Sequence, residues 1–229
     1  VPGRRLDTVG FVLLTLSLMT ITSGLAFLRI NGPEAVWVYL VILLGLALLY
    51  PFGRWVLGHP DPAIDLRVLR RPEMWPVQLV AGLFGISVLG AQAPLASFAG
   101  TPLEAGYGLG LDAGDRSLII GVYLIGMITG AALFSATARR LSPRVALIVA
   151  TSLVAVGYLL FLPFHFTPVQ VATNMVIAGL GSGALVAALP AAAAAAAPLG
   201  QTGIAAGLTN TTKTIGGSFA SAIFAIVVV

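Results

Sequence analysis

The charged residues of this chain are confined to short segments, and the stretches between them are long and apolar. A helix needs about 20 apolar residues to cross a hydrocarbon core of roughly 30 Å. The sequence therefore predicts a polytopic membrane protein. The stretches without Asp, Glu, Lys or Arg are Val9–Leu28, Ala35–Gly53, Met74–Leu103, Ser117–Ala138 and Val145–Thr212.

Composition supports this interpretation. Charged residues make up 9% of the chain and hydrophobic residues 58%, whereas a soluble domain has about 25% charged residues. The net charge of +4 comes from short loops, which favours a role in membrane topology over nucleic-acid binding. The chain has no cysteine, which excludes a disulfide framework and a thiolate metal site. Nothing in the sequence predicts a cofactor.

Seven crossings are predicted, all helical, so the fold class is an all-α membrane bundle. Between the fifth and sixth crossings, only four residues are expected to form a tight hairpin. The predicted crossings are Val9–Leu28, Ala35–Val56, Val77–Ala99, Ser117–Ala138, Val145–Phe164, Val169–Pro190 and Gly203–Val229.

If successive loops lie on alternate sides of the membrane, nine arginines are on the same side as the N-terminus. Only Arg29 and Arg116 are on the other side. Because cytoplasmic loops carry the excess of Lys and Arg, the opposite side is predicted to be cytoplasmic, with the N-terminus of the chain on it. The arginines of the cytoplasmic side are Arg4, Arg5, Arg54, Arg67, Arg70, Arg71, Arg139, Arg140 and Arg144.

Pairs of glycines recur at four-residue spacing, at Gly126 and Gly130 and at Gly179 and Gly183. In membrane helices this spacing lets two backbones approach closely. Simple helix packing is the favoured explanation, and sliding surfaces between moving helices are the alternative.

Lys213 is the strongest polar feature within a predicted span. A charge there is costly and usually faces a bundle interior or a wet cavity, although a lysine about a third of the way in could also extend back to the surface. Asn210 and Gly217 are expected on the same helix face as Lys213. Gln92 and Asn174 line a cavity or make packing contacts, and packing is favoured for Asn174.

The predicted spans contain no Asp or Glu. A proton-coupled carrier needs a titratable group in its pathway, so such a group would come from elsewhere, or from Asp112 or Asp115 at the outer mouth. An enzyme is not expected. Ser182 and His165 lie about a helix length apart, beyond the hydrogen-bond reach that a nucleophile and its base require.

Several segments resemble the major facilitator superfamily, and most closely its fourteen-helix drug:proton antiporter group. Asp61–Arg71 resembles a cytoplasmic segment of that group, and Asp7–Gly10 resembles the start of its seventh helix. The basic turn with Arg139, Arg140 and Arg144 resembles a short cytoplasmic turn. Gly203–Ala222 resembles the glycine-rich thirteenth helix, with Lys213 at the position of an arginine and with Gly216 and Gly217 as packing glycines.

The resemblance implies that residues 1–56 form two extra central helices and residues 57–76 a cytoplasmic linker. Residues 77–229 would then form five helices of an incomplete C-terminal half, with the N-terminal half missing. The implied function is proton-driven efflux of small amphipathic or cationic drugs across the plasma membrane by alternating access, with the lipid bilayer, the substrate and protons as partners. A metabolite exporter, a uniporter or a non-transporting scaffold remains an alternative.

Overall fold

The computed structural model describes residues 7–59, 62, 66–69, 71–137, 140, 142–198 and 200–227. Within these ranges the regular structure is helical throughout, so the predicted all-α bundle is confirmed. The helices are α1 (Thr8–Asn31), α2 (Val36–Gly58), α3 (Leu66–Leu69), α4 (Trp75–Phe84), a π-helical segment (Gly85–Leu89), α5 (Gln92–Gly100), a 3₁₀ turn (Leu103–Ala105), α6 (Ala113–Thr137), α7 (Pro143–Leu159), α8 (Pro168–Ala196) and α9 (Thr202–Val227).

In the described part of the chain, five helical runs are long and apolar enough to cross a membrane. The other two predicted crossings are helical but are not among them. At about 1.5 Å per residue, the 17 residues of α7 extend roughly 26 Å, and α9 carries the polar run Thr209–Thr214. The five runs are Thr8–Leu28, Val36–Gly58, Trp75–Gly100, Ala113–Thr137 and Pro168–Ala196.

The third predicted span is not a continuous α-helix. It changes to π-helix at Gly85, where the N–H of Gly90 donates to the Gly85 carbonyl at 3.0 Å, and α5 begins at Gln92 after a short turn. Pro94 accounts for the interruption, because its ring removes the N–H that would bond to the Gly90 carbonyl and also crowds that carbonyl.

The connection between α7 and α8 is longer than predicted. Helix α7 ends at Leu159, and residues 160–164 form turns, so the predicted helix end at Phe164 was wrong. Pro163 explains the earlier end, because the residue before a proline is disfavoured in the α conformation. Asn174 then donates to the Phe164 carbonyl at 2.7 Å, which fixes the connection against the second turn of α8.

The chain divides into two compact units, Val1–Gly90 with Ala193–Val229 (unit 1) and Ala91–Ala192 (unit 2). In unit 1, α1 and α2 form a hairpin in which the hydroxyl of Ser17 donates to the Gly45 carbonyl at 2.7 Å. Asp7 begins α1 and accepts hydrogen bonds from the Gly10 N–H at 2.8 Å and from the Trp55 indole at 2.9 Å.

Unit 2 is built around α8, which packs on both α6 and α7 through small residues. The assignment of residues 1–56 to two extra central helices, 57–76 to a linker and 77–229 to an incomplete C-terminal half stays a prediction.

Candidate functional site

Helix α9 packs closely on α4 and the π-helical segment in unit 1, and we call this contact the lysine seam. A Cβ atom added at Gly85 would overlap the Lys213 carbonyl, and one added at Gly216 would overlap the Gly82 carbonyl. Gly217 lies against Leu89 in the same way, with a hypothetical Cβ only 2.7 Å from the leucine Cβ. The helices can approach this closely only because glycine stands at these positions.

The side chain of Lys213 is enclosed by this seam. It is 7% exposed, and its Nζ lies 5.7 Å from the centre of the Phe84 ring. A cation over an aromatic face is attracted by the ring quadrupole. Among the described residues, no carboxylate forms an ion pair with Lys213.

Thr212, the residue before Lys213, makes a polar contact that was not predicted from the sequence. The Thr212 hydroxyl is 2.9 Å from Oε1 of Gln78 and equally close to the Leu208 carbonyl, so one proton is shared between two acceptors. The Gln78 amide nitrogen in turn contacts the Met74 sulfur at 3.7 Å. The thioether is a weak acceptor, so the Gln78 amide retains donor capacity. In the sequence, Gln78 could have been singled out only as a second glutamine in the predicted span that contains Gln92.

Helix α9 buries one flank beside Lys213 and exposes the other. Thr209, Lys213 and Gly216 are buried, at spacings of four and three residues, whereas Asn210 is exposed. At about 100° per residue, Thr209 and Asn210 lie on opposite flanks of Lys213, and the flank with Thr209 packs inward. Of the predicted face, Gly217 is buried with Lys213 and Asn210 is exposed. The role of this face as a cavity lining or gate stays a prediction.

The other two predicted pathway residues lie in unit 2. Gln92 is half-buried at the first position of α5. Asn174 is 2% exposed and hydrogen-bonded to the Phe164 carbonyl, so it makes a packing contact in the connection between α7 and α8.

Helices α6 and α8 meet in unit 2 along what we call the glycine seam, formed by Gly126, Gly130, Gly179 and Gly183. An added Cβ would overlap the Leu180 carbonyl at Gly130 and the Met127 carbonyl at Gly183. The Cβ position at Gly126 is 3.4 Å from the Gly179 Cα. All of these neighbours are backbone atoms, which cannot rotate away.

Near the glycine seam, the hydroxyl of the buried Tyr123 makes no hydrogen bond of normal geometry in the described part of the chain, although the Ser182 hydroxyl is close by. The Ser182 hydroxyl donates to the Ala178 carbonyl at 2.7 Å.

The basic turn between α6 and α7 is described in part. Arg140 and Arg144 are exposed, and the Ser142 hydroxyl accepts a hydrogen bond from the Val145 N–H at 3.3 Å. Arg139 lies outside the described residues, as do Arg4, Arg5, Arg70 and much of Asp61–Arg71.

The site lacks an arrangement typical of catalysis in the part of the chain that the structure describes. No group of three or more His, Asp or Glu side chains there could hold a metal ion. Lys213 is a buried cation between closely packed, glycine-lined helices, and a charge within a membrane helix usually faces a bundle interior or a wet cavity. The apolar spans define an integral membrane protein.

The family model described as Major Facilitator Superfamily matches residues 8–221. The chain belongs to this superfamily of secondary transporters, which implies a small-molecule substrate and a lipid bilayer as its surroundings. No curated protein matches the chain.

Proposed function

We propose that the chain is the C-terminal portion of a fourteen-helix drug:proton antiporter that exports small amphipathic or cationic molecules. In this proposal α1 and α2 are the two extra central helices. The crossing formed by α4 and α5, together with α6, α7, α8 and α9, supplies five helices of the C-terminal half. The missing N-terminal half would form the other wall of the cavity. Alternating access would then come from one half rocking against the other.

The buried Lys213 is the observation that carries this proposal. A charge in the middle of a membrane helix costs about 2.5–3.5 kcal/mol on insertion scales, and in the described residues the cation has an aromatic face and no carboxylate beside it. A carboxylate or a backbone carbonyl from the missing half would compensate the charge in one conformation of the cycle. Lys213 would then act as a gate whose pairing differs between the inward-open and outward-open states.

Alternative transport modes are a metabolite exporter or a uniporter of the same fold. The observation in their favour is that the predicted spans contain no Asp or Glu to carry a proton. In the antiporter, the proton carrier would lie in the missing half or at Asp112 or Asp115.

The test uses the full-length transporter in proteoliposomes, with a lipophilic cationic dye as the cargo. An antiporter moves the dye against its gradient when an inward-directed pH gradient is imposed, and dissipating that gradient with a protonophore stops the transport. Flux that is equal with and without the gradient favours the uniporter. Absence of flux for any tested cargo, in protein that is folded and inserted, favours the scaffold.

Topology is part of the proposal, with the N-terminus of the chain cytoplasmic in the plasma membrane. Because the chain has no cysteine, single cysteines at Ser142 and Gly106 report on the two sides without background from this segment. A membrane-impermeant maleimide is expected to label the Gly106 site from outside intact cells and the Ser142 site only after permeabilisation. External labelling of the Ser142 site would reverse the assignment.

A further inference from the structure

We propose that the cleft between α6, α7 and α8 in unit 2 holds an acyl chain of an anionic phospholipid whose phosphate is bound by Arg140 and Arg144. The cleft has a volume of about 220 Å³ and is lined by side chains of all three helices. This volume is below the roughly 300–1,000 Å³ of pockets that hold drug-sized ligands. The cleft is therefore better suited to part of a narrow acyl chain than to a bulky cargo.

The chemistry of the cleft is apolar. Leu133, Val149 and Leu153 are among the lining residues, and Thr137 is the one lining residue with a polar side chain. The Thr137 hydroxyl donates to the Leu133 carbonyl at 2.8 Å, so its proton is already used within its own helix. A polar solute would therefore lose its hydrogen bonds with water and gain few in return, whereas an acyl chain has none to lose.

Charge at one end of the cleft selects the kind of lipid. Arg140 follows the lining residue Thr137 by three positions, and Arg144 precedes the lining residue Ala146 by two. Both arginines are exposed. Arginine presents a fork of N–H donors that matches phosphate oxygens, and basic residues between transmembrane helices bind anionic head groups. An anionic lipid is therefore favoured over a zwitterionic one.

The test measures lipid retention by native mass spectrometry of the full-length transporter, released from mixed phosphatidylglycerol and phosphatidylcholine vesicles. The wild-type protein is expected to retain phosphatidylglycerol in preference. Replacing both arginines, R140Q with R144Q, should lower that retention about tenfold, since each basic residue near a surface strengthens binding to anionic lipid appreciably. The matched control is R54Q, because Arg54 is also exposed and predicted on the same membrane side, whereas no residue of its helix α2 lines the cleft.

A second pair of variants separates a lipid from a free phosphate. Val149 is 49% exposed and lines the cleft, whereas its neighbour Ile148 is 55% exposed and does not. V149W should fill the cleft and reduce phosphatidylglycerol retention, and I148W should leave it unchanged. Circular dichroism and size-exclusion chromatography check that each variant is folded.

Three results would overturn the proposal. Equal retention of both lipids would indicate an ordinary annular lipid, and unchanged retention in V149W would indicate a phosphate site that does not use the cleft. If V149W instead abolished binding of the dye and left lipid retention intact, the cleft would be an entry path for the cargo. None of these results depends on proton coupling, so the antiporter proposal is tested separately.

Discussion

The lysine seam and the glycine seam both bring helix backbones into contact at glycines, yet only the lysine seam encloses a charged side chain. In the glycine seam the overlapping groups at Gly130 and Gly183 are backbone atoms of regular α-helices. In the lysine seam the backbone is partly π-helical, and the buried side chains include Gln78 and Lys213. The two seams therefore share a packing mode but differ in the polar cost that they carry.

This difference suggests that the glycine seam serves packing and that the lysine seam also serves transport. A π-helical turn and a buried charge both cost stability, and π-helical turns are found frequently at functional sites. The described part of the glycine seam has neither feature. We therefore expect substitutions in the glycine seam to reduce mainly the yield of folded protein, and substitutions at Lys213 to reduce mainly the transport rate.

The largest effect is expected for Gly183→Val. Its side chain would meet the Met127 backbone, and overpacking of this kind typically costs about 1–3 kcal/mol and occasionally more. We expect loss of most folded protein, measured as monodisperse yield and melting temperature in detergent. Gly207→Val is the control, because among the described residues no atom beyond its own helix turn lies within 4 Å of a Cβ at Gly207. Equal melting of the two variants would contradict the close α6–α8 contact.

The next largest effect is expected for Lys213→Ala in the full-length transporter. If Lys213 forms a gate contact during transport, its loss should reduce the initial rate of dye transport by about tenfold, or roughly 1.4 kcal/mol. Folded yield should stay within about twofold, because removing an uncompensated charge does not destabilise a membrane helix.

Lys213→Arg keeps the charge and is expected to transport better than Lys213→Ala. Normal transport by the alanine variant would show that the lysine is dispensable, and the lysine seam would then be packing alone.

A smaller effect is expected for Pro94→Ala, which restores the N–H that a continuous helix needs at this position. Pro94 lies in the first turn of α5, where a proline is tolerated, so the variant should melt at only a slightly higher temperature and lose the π-helical bond between Gly90 and Gly85. If the interruption serves movement along the lysine seam, transport should slow by about threefold. A variant that is both more stable and equally fast would show that the interruption has no role in transport.

The sequence predicted the helices well because their signal is local. Apolar length and the absence of charge identify each span without any knowledge of its neighbours, and the predicted spans all contain helices in the described residues. The break within the third span and the early end of α7 have local causes in Pro94 and Pro163. Prolines near the end of α7 were interpreted as forming a tight hairpin, and the effect of Pro94 on the third span was not predicted.

The site was less predictable because it depends on which flank of a helix packs inward. Lys213 could be identified as unusual from its charge alone, but the choice between Thr209 and Asn210 as its buried neighbour depends on how α9 lies against α4. Gln78 gained its importance only through contact with Thr212, 134 positions away in the sequence. A glycine in a predicted span is similarly ambiguous. Among the described residues, nothing beyond its own helix turn lies within 4 Å of a Cβ at Gly207, whereas a Cβ at Gly183 would overlap the Met127 carbonyl.

The smallest effect is expected for Thr212→Val, which removes the hydroxyl but keeps the size and branching of the side chain. The variant loses the Thr212–Gln78 hydrogen bond across the lysine seam, and such bonds between membrane helices average about 0.6 kcal/mol. The melting temperature should fall slightly. Thr214→Val is the matched control, because the Thr214 hydroxyl is exposed and donates to the Asn210 carbonyl of its own helix at 2.9 Å.

A double variant isolates the interaction between the two helices. Gln78→Leu alone also removes the bond, so adding Thr212→Val to it should cost less than Thr212→Val costs in the wild-type background. This non-additivity is expected for Thr212 and not for Thr214. Additive losses would mean that the Thr212 hydroxyl is satisfied by the Leu208 carbonyl, which is equally close, and that the polar contact across the lysine seam contributes nothing to the packing of α9 on α4.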